Sequence, residues 1–177
     1  MTKRKSIFLG KSELHFNDQK VKGETVTLEG ELFYKISNFD KMRPFFMSVV
    51  SHSDHWLFIS STGALSAGRK NSNYALFPYY TDDKISEAFE TTGSKTIFLI
   101  DHEDRKCLWE PFSKLYADVY HIERNLYKNS LGSKLIFEEI NHDLELSYKY
   151  SWAVSEKYGF VRTSVLQSNS SESKTIS

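Results

Sequence analysis

Between Leu144 and Trp152 the chain alternates apolar and polar residues without a break. Leu144, Leu146, Tyr148, Tyr150 and Trp152 fall on one side of an extended backbone, and Glu145, Ser147, Lys149 and Ser151 on the other. Such a period of two predicts a half-buried antiparallel strand. Further strands are predicted at Thr25 to Leu28, Leu32 to Ile36, Pro44 to Val50, Trp56 to Ser60, Lys95 to Ile100, Lys106 to Trp109, Val119 to Tyr127, Lys134 to Ile140 and Gly159 to Gln167. Turn chemistry punctuates them at 28–30 (LEG), 61–63 (STG), 91–93 (TTG), 141–143 (NHD) and 168–171 (SNSS). No window carries a sustained helical stripe. One brief helix is expected around Asp83 to Phe89, with Ile85, Ala88 and Phe89 as its apolar side. Short strands separated by turns imply an all-β domain, a sandwich or a barrel.

At 177 residues the chain suits one domain, or one incomplete larger one. Residues 1–20 read as a tail or first strand and 21–177 as the β-domain. After the turn at 168–171 the text resumes as SKTIS, the beginning of a returning hairpin strand. A strand commonly runs about five or six residues, so the β-domain is expected to be incomplete at its C-terminus and to be the N-terminal part of a longer protein. A disordered tail is the alternative. Neither an internal repeat nor a low-complexity linker interrupts the chain.

Charge narrows the partners. Lys and Arg number 23, and so do Asp and Glu, so there is no net field to attract a polyanion, and nucleic acid is not expected as a partner. Lys3, Arg4 and Lys5 precede only Ile7, Phe8 and Leu9 before Gly10, too short an apolar run for a secretory signal. The longest mainly apolar run elsewhere, Phe45 to Val50, is far short of a membrane span. Cys107 is the sole cysteine and admits no internal disulfide, which makes the cytoplasm the default compartment.

Candidate chemistry is sparse. The stretch SHSDH at 51–55 holds two imidazoles and a carboxylate, but it lies between FFMSVV and WLFISS, which look like the arms of a hairpin. A polar turn is the simpler reading, because a metal site requires three or four ligands; neither a metal nor a cofactor is expected. The polar run 101–106 is likewise read as a hairpin connection. Asp82 and Asp83 suggest the two acids of glycoside chemistry, yet neighbours on an extended chain point apart, whereas that chemistry needs two acids facing each other. Cys107 is read as a small packing residue, since a nucleophilic thiol needs an activating base. Tyr148, Tyr150 and Trp152 admit two readings, a platform on which sugar C–H faces stack or a stripe of core.

One stretch stands apart. Residues 68–83 read GRKNSNYALFPYYTDD, in which Arg69 offers a donor fork, Asn71 and Asn73 offer paired donors and acceptors, and Asp82 and Asp83 offer acceptors, beside Tyr79 and Tyr80. Planar hydrogen-bonding groups next to aromatic rings suit sugar recognition or a polar interdomain surface. An irregular loop whose side chains satisfy their own backbone is the competing reading.

The order of these segments supplies a resemblance. PFFMSVVS at 44–51, HWLFISSTGALSAG at 55–68, NSNYALFPYYTDD at 71–83 and TIFLIDHEDRKCLWEP at 96–111 follow one another at matching spacing. Together, from Arg43 to Glu110, they resemble the N-terminal β-sandwich of cellobiose-phosphorylase-type enzymes, the large inverting glycoside phosphorylases related to glycosyltransferase-36-like proteins. Asn71 and Ser72 fit an Asn-Ser pair of that pattern, Leu76 its leucine, Pro78 its proline, Tyr79 a tryptophan position and Asp82 its final aspartate. The loop departs from the pattern in being one residue shorter, in lacking the central arginines and in having Phe77 where threonine is usual, so the role of those arginines does not carry over. The later strands, Lys134 to Gln167, follow the family in architecture.

The resemblance implies a supersandwich, an antiparallel β-sandwich that packs against an (α/α)6 barrel bearing the catalytic acid and the phosphate-binding groups. No segment of these 177 residues has the helical pattern of that barrel, so no activity is expected from the chain alone. The expected role is to support a sugar site or a homodimer contact, with an oligosaccharide, a β-linked glucan or related sugar, as ligand and Arg69, Asn71, Asn73, Tyr79, Tyr80, Asp82 and Asp83 as contact or interdomain residues. A free-standing carbohydrate-binding sandwich is the alternative, and an enzyme complete in itself, resting on Asp82, Asp83 and the His52 to His55 turn, is a third.

Overall fold

The computed structural model describes residues 6–16, 18–77, 81–102, 105–171 and 173–177, without the side chains of Asp82, Asp83 and His102. Among the described residues thirteen strands form: β1 (Ile7–Leu9), β2 (Ser12–Leu14), β3 (Lys22–Leu28), β4 (Glu31–Ser37), β5 (Phe46–Val49), β6 (His55–Ser60), β7 (Leu65–Arg69), β8 (Phe98–His102), β9 (Arg105–Trp109), β10 (Ile122–Asn129), β11 (Lys134–Asn141), β12 (Leu146–Ser155) and β13 (Gly159–Ser168). Two single-turn helices, α1 (Asp82–Ile85) and α2 (Phe89–Thr92), lie between β7 and β8. The fold is all-β, with strands over 51% of the chain, antiparallel sheets arranged as a sandwich and no closed barrel.

The large sheet has six strands in the order β13-β12-β11-β10-β4-β3, a small sheet has three, β5-β6-β7, and β1-β2 and β8-β9 are two-stranded hairpins. The alternation read from the sequence fixes which face of β12 is covered. Leu144, Leu146, Tyr148, Tyr150 and Trp152 are all buried, and Leu135 and Phe137 of β11 pair directly with Trp152 and Tyr150. Against this face pack Met47, Val49, Leu57, Ile59 and Leu65 of the small sheet, with Ile100 and Trp109 of the β8–β9 hairpin. Phe137 stacks on Tyr150 at 4.8 Å and 12°, and Phe112 meets Tyr150 edge-on at 5.2 Å. These aromatic side chains remove the largest areas from water and hold the two layers together.

The turns follow local rules. Glu29 and Gly30 both take positive φ, 51° and 83°, the backbone that a two-residue hairpin between β3 and β4 demands. Phe112 also has positive φ, 64°, and in this strained conformation its N–H donates to Glu139 Oε2 at 2.6 Å.

Several expectations need correction. β10 begins at Ile122 rather than Val119, because 116–119 close a turn with Val119 N–H on Tyr116 O. β8 begins at Phe98 rather than Lys95. Strands β1 and β2 form within residues 1–20, read from the sequence as a tail or first strand, and β7 forms at Leu65–Arg69, where no strand was expected. The helix expected across 83–89 is split into α1 and α2. Residues 173–177 do not return beside β13; Ile176 bridges to Ile100, and Leu99 exchanges backbone hydrogen bonds with Ser177 at 2.8 and 3.0 Å.

Candidate binding site

The loop singled out in the sequence is built on the edge of the small sheet. β7 ends at Arg69, and the chain then folds back over its own strand: Gly68 bridges to Ala75, and the amides of Leu76 and Phe77 both donate to Ala67 O. Gly68 is what permits this return. A Cβ there would lie 2.5 Å from Trp56 Cζ2 and 2.6 Å from Tyr74 O. Asn71 Oδ1 accepts from Asn73 N–H at 3.0 Å and caps the single turn Ser72–Tyr74. That amide oxygen is therefore engaged with its own backbone, as the loop reading foresaw. Arg69 pairs in register with His55 and its side chain is exposed, as is Asn73.

The backbone is tied down while the side-chain tips face water. Tyr74 is 60% exposed and Leu76 67%, and the Lys70 ammonium sits 5.9 Å above the Tyr74 ring. Tyr79 and Tyr80 lie outside the described residues, as do the side chains of Asp82 and Asp83. The backbone of Asp82 and Asp83 forms the first turn of α1 and is not extended, so the argument that they point apart along a strand does not hold. Ile85 of α1 is fully buried and anchors that helix to the sandwich.

A second feature adjoins the loop. On the outer face of the small sheet, away from the core, Trp56, Phe58 and Phe46 form a continuous row, with ring centroids 5.6 and 5.1 Å apart and tilts of 34° and 37°. Phe46 is 40% exposed, Phe58 and Trp56 are half-buried, and the Trp56 ring touches Gly68 under the returning loop. Sequence reasoning missed this row. FFMSVV and WLFISS are apolar on both faces, so they read only as the arms of a hairpin, and the strand pairing separates outward Phe46 and Phe58 from inward Met47 and Leu57.

The stripe Tyr148, Tyr150 and Trp152 is core, the packing reading of the two considered. Cys107 packs against that core as a small apolar side chain. In the 51–55 turn Ser53 Oγ meets His55 Nδ1 at 2.6 Å and Ser51 Oγ accepts from Ser53 N–H at 3.0 Å, a turn that satisfies its own polar groups.

The buried acids are engaged on opposite faces of β11. Glu139 accepts from Trp109 Nε1 and Arg124 Nε, both at 2.7 Å. Glu138 accepts from the Tyr127 hydroxyl and, at 3.0 Å, from Asn125 Nδ2, and pairs with Lys149 at 2.9 Å. Burial pulls the Glu138 carboxyl upward, but these hydrogen bonds and the Lys149 charge outweigh it and hold it below the usual carboxylate value. Burial also raises the Tyr127 hydroxyl, which the neighbouring Glu138 raises further. Two carboxylates facing opposite ways and so engaged do not face each other across a sugar.

A cleft of about 330 Å³, lined among others by Asp40, Phe112, Lys114 and Arg124, opens beside Ser61 and Thr62. It lies at the end of the β6–β7 hairpin opposite to Asn71, so this cleft and the polar loop are separate places. Comparison with protein-family models and with curated protein sequences finds no match. Among the described residues no helix is long and apolar enough to cross a membrane.

Proposed function

We propose that this chain is a non-catalytic, carbohydrate-associated β-sandwich: the N-terminal domain of a cytoplasmic glycoside phosphorylase or glycoside hydrolase that packs against an (α/α)6 catalytic barrel. In that role it supplies one wall of a sugar site or a dimer contact. The observation that carries the reading is the outward row Trp56, Phe58 and Phe46 beside the exposed Tyr74 and Leu76. A core on the inner face does not require rings on the outer one, where Ser48 pairs with Phe58 in the same sheet. Contact with the C–H faces of a β-linked glucan, or with apolar side chains of a second domain, removes that surface from water.

The resemblance adds weight. Its segments 44–51, 55–68 and 71–83 are the ones that build the three-stranded sheet, its aromatic row and its loop. Arg69 and Asn73 then lie at the rim, where planar donors meet hydroxyls. The exposed Tyr74 keeps the second reading, a free-standing carbohydrate-binding module, alive beside the first.

Titration with cello-oligosaccharides tests the proposal, with tryptophan emission as the readout. Trp109 and Trp152 are buried, which leaves Trp56 as the responsive ring. A saturable change is expected, together with no turnover of aryl glycosides with or without phosphate. A flat titration contradicts carbohydrate contact, and turnover by this chain alone contradicts a non-catalytic role.

A further inference from the structure

Three side chains from distant parts of the chain converge beside the N-terminal hairpin. His15 follows β2, His121 immediately precedes β10, and Asp143 lies in the β11–β12 turn. One donor atom from each lies within 4.8 Å of the others. The two imidazole rings approach to 3.8 Å between centroids at 37°.

The arrangement around His121 is specific. Asp143 Oδ2 accepts from the His121 backbone N–H at 2.7 Å, and Oδ1 meets ring Nδ1 at 2.9 Å. The carboxylate thereby fixes both the backbone and the ring. An ion that takes the place of the proton shared by Nδ1 and Oδ1 meets both of these atoms at once, and His15 brings a ring nitrogen within the same reach. Backbone contacts hold the frame, with His15 N–H on Asp118 O at 2.7 Å and His142 N–H on His121 O at 2.9 Å.

The surroundings supply more donors. His15 and His121 line an open cleft of about 420 Å³ together with His142, Asp18, Phe16 and Ile122. Three of the chain's six histidines thus border one cleft. The packing of the sandwich does not need them there, since His121 and Asp143 are 58% and 38% exposed.

We propose that His15, His121 and Asp143 form a binding site for a divalent transition-metal ion of the zinc class. Two imidazole nitrogens and a carboxylate are the donor set that zinc accepts, and they leave positions open to water or a further ligand. Calcium and magnesium, which take all-oxygen sites, do not fit it. Bound metal clamps the β1–β2 hairpin, whose side chains are almost all exposed, onto the turns at the end of the large sheet. The inference is independent of the carbohydrate reading.

The test is titration of the tag-free, metal-stripped chain with Zn²⁺ by calorimetry, and with Co²⁺ by visible absorption. One ion per chain is expected. His15→Ala, His121→Ala and Asp143→Asn, checked by circular dichroism for an unchanged fold, each weaken binding at least tenfold. His55→Ala leaves it unchanged. Binding that survives both histidine substitutions in folded protein, or no binding at millimolar Zn²⁺, overturns the proposal. Should either variant fail to fold, the wild-type chain still decides: saturating Zn²⁺ raises its melting temperature if the clamp forms, and an unchanged melting temperature overturns the proposal.

Discussion

Arg124 Nε donates to Glu139 Oε2 at 2.7 Å with both side chains almost wholly buried, 8% and 2% exposed. The pair also fixes the corner after β9, because the Trp109 indole and Phe112 N–H share the carboxylate and Arg124 donates to Ser113 O at 2.8 Å. Removing one partner leaves the other charge buried and several donors unsatisfied. Glu139→Ala is expected to lower stability by about 3–5 kcal/mol, measured by urea unfolding. The double substitution Arg124→Met with Glu139→Met is expected to cost less than the sum of the two single changes.

Gly68→Ala tests the close return of the loop over β7. The new Cβ would lie within 2.8 Å of Trp56, Tyr74 and Ala75 atoms, two of them backbone, so the loop must lift away. A loss of about 1–3 kcal/mol is expected, together with a red shift of Trp56 emission as the ring gains water. Unchanged stability and emission would mean that the loop is not packed down on the indole.

Acid sensitivity follows from Glu138. Its carboxyl is held below the ordinary value of 4.5 in the folded chain. The stability it contributes is therefore fully present above that value and is lost as pH falls through the lower, folded one. Glu138→Gln is expected to be less stable than the wild type at pH 7, with the gap narrowing as the medium is acidified below the ordinary value. Urea unfolding at several pH values measures it; a gap independent of pH would show that the carboxylate charge is not what stabilises β10 to β12.

What could be read from the sequence depended on how cleanly one face differs from the other. Leu144 to Trp152 alternates, so its strand and its buried face were legible. The Glu29–Gly30 turn was legible from its glycine. Strand β7 was not, because Ser66, Ala67 and Gly68 are small and carry no alternation, and their role is to let Trp56 and the loop come close. Asn71 was recognised as a residue of interest, but its engagement with Asn73 N–H depends on backbone angles that composition does not specify. The row Phe46, Phe58, Trp56 and the convergence of His15, His121 and Asp143 are products of strand pairing between segments far apart in the chain, and no local pattern announces either.

We propose the outer face of the small sheet, with its loop, as the working surface. The most direct measurement is an amide chemical-shift map of the isotope-labelled chain titrated with cellotetraose, repeated on Phe58→Ala. Saturable shifts are expected at Phe46, Trp56, Phe58 and the Arg69 to Tyr74 segment, abolished in the variant. Shifts confined to the Phe112 and Lys114 cleft, or no shifts at millimolar sugar, would contradict it.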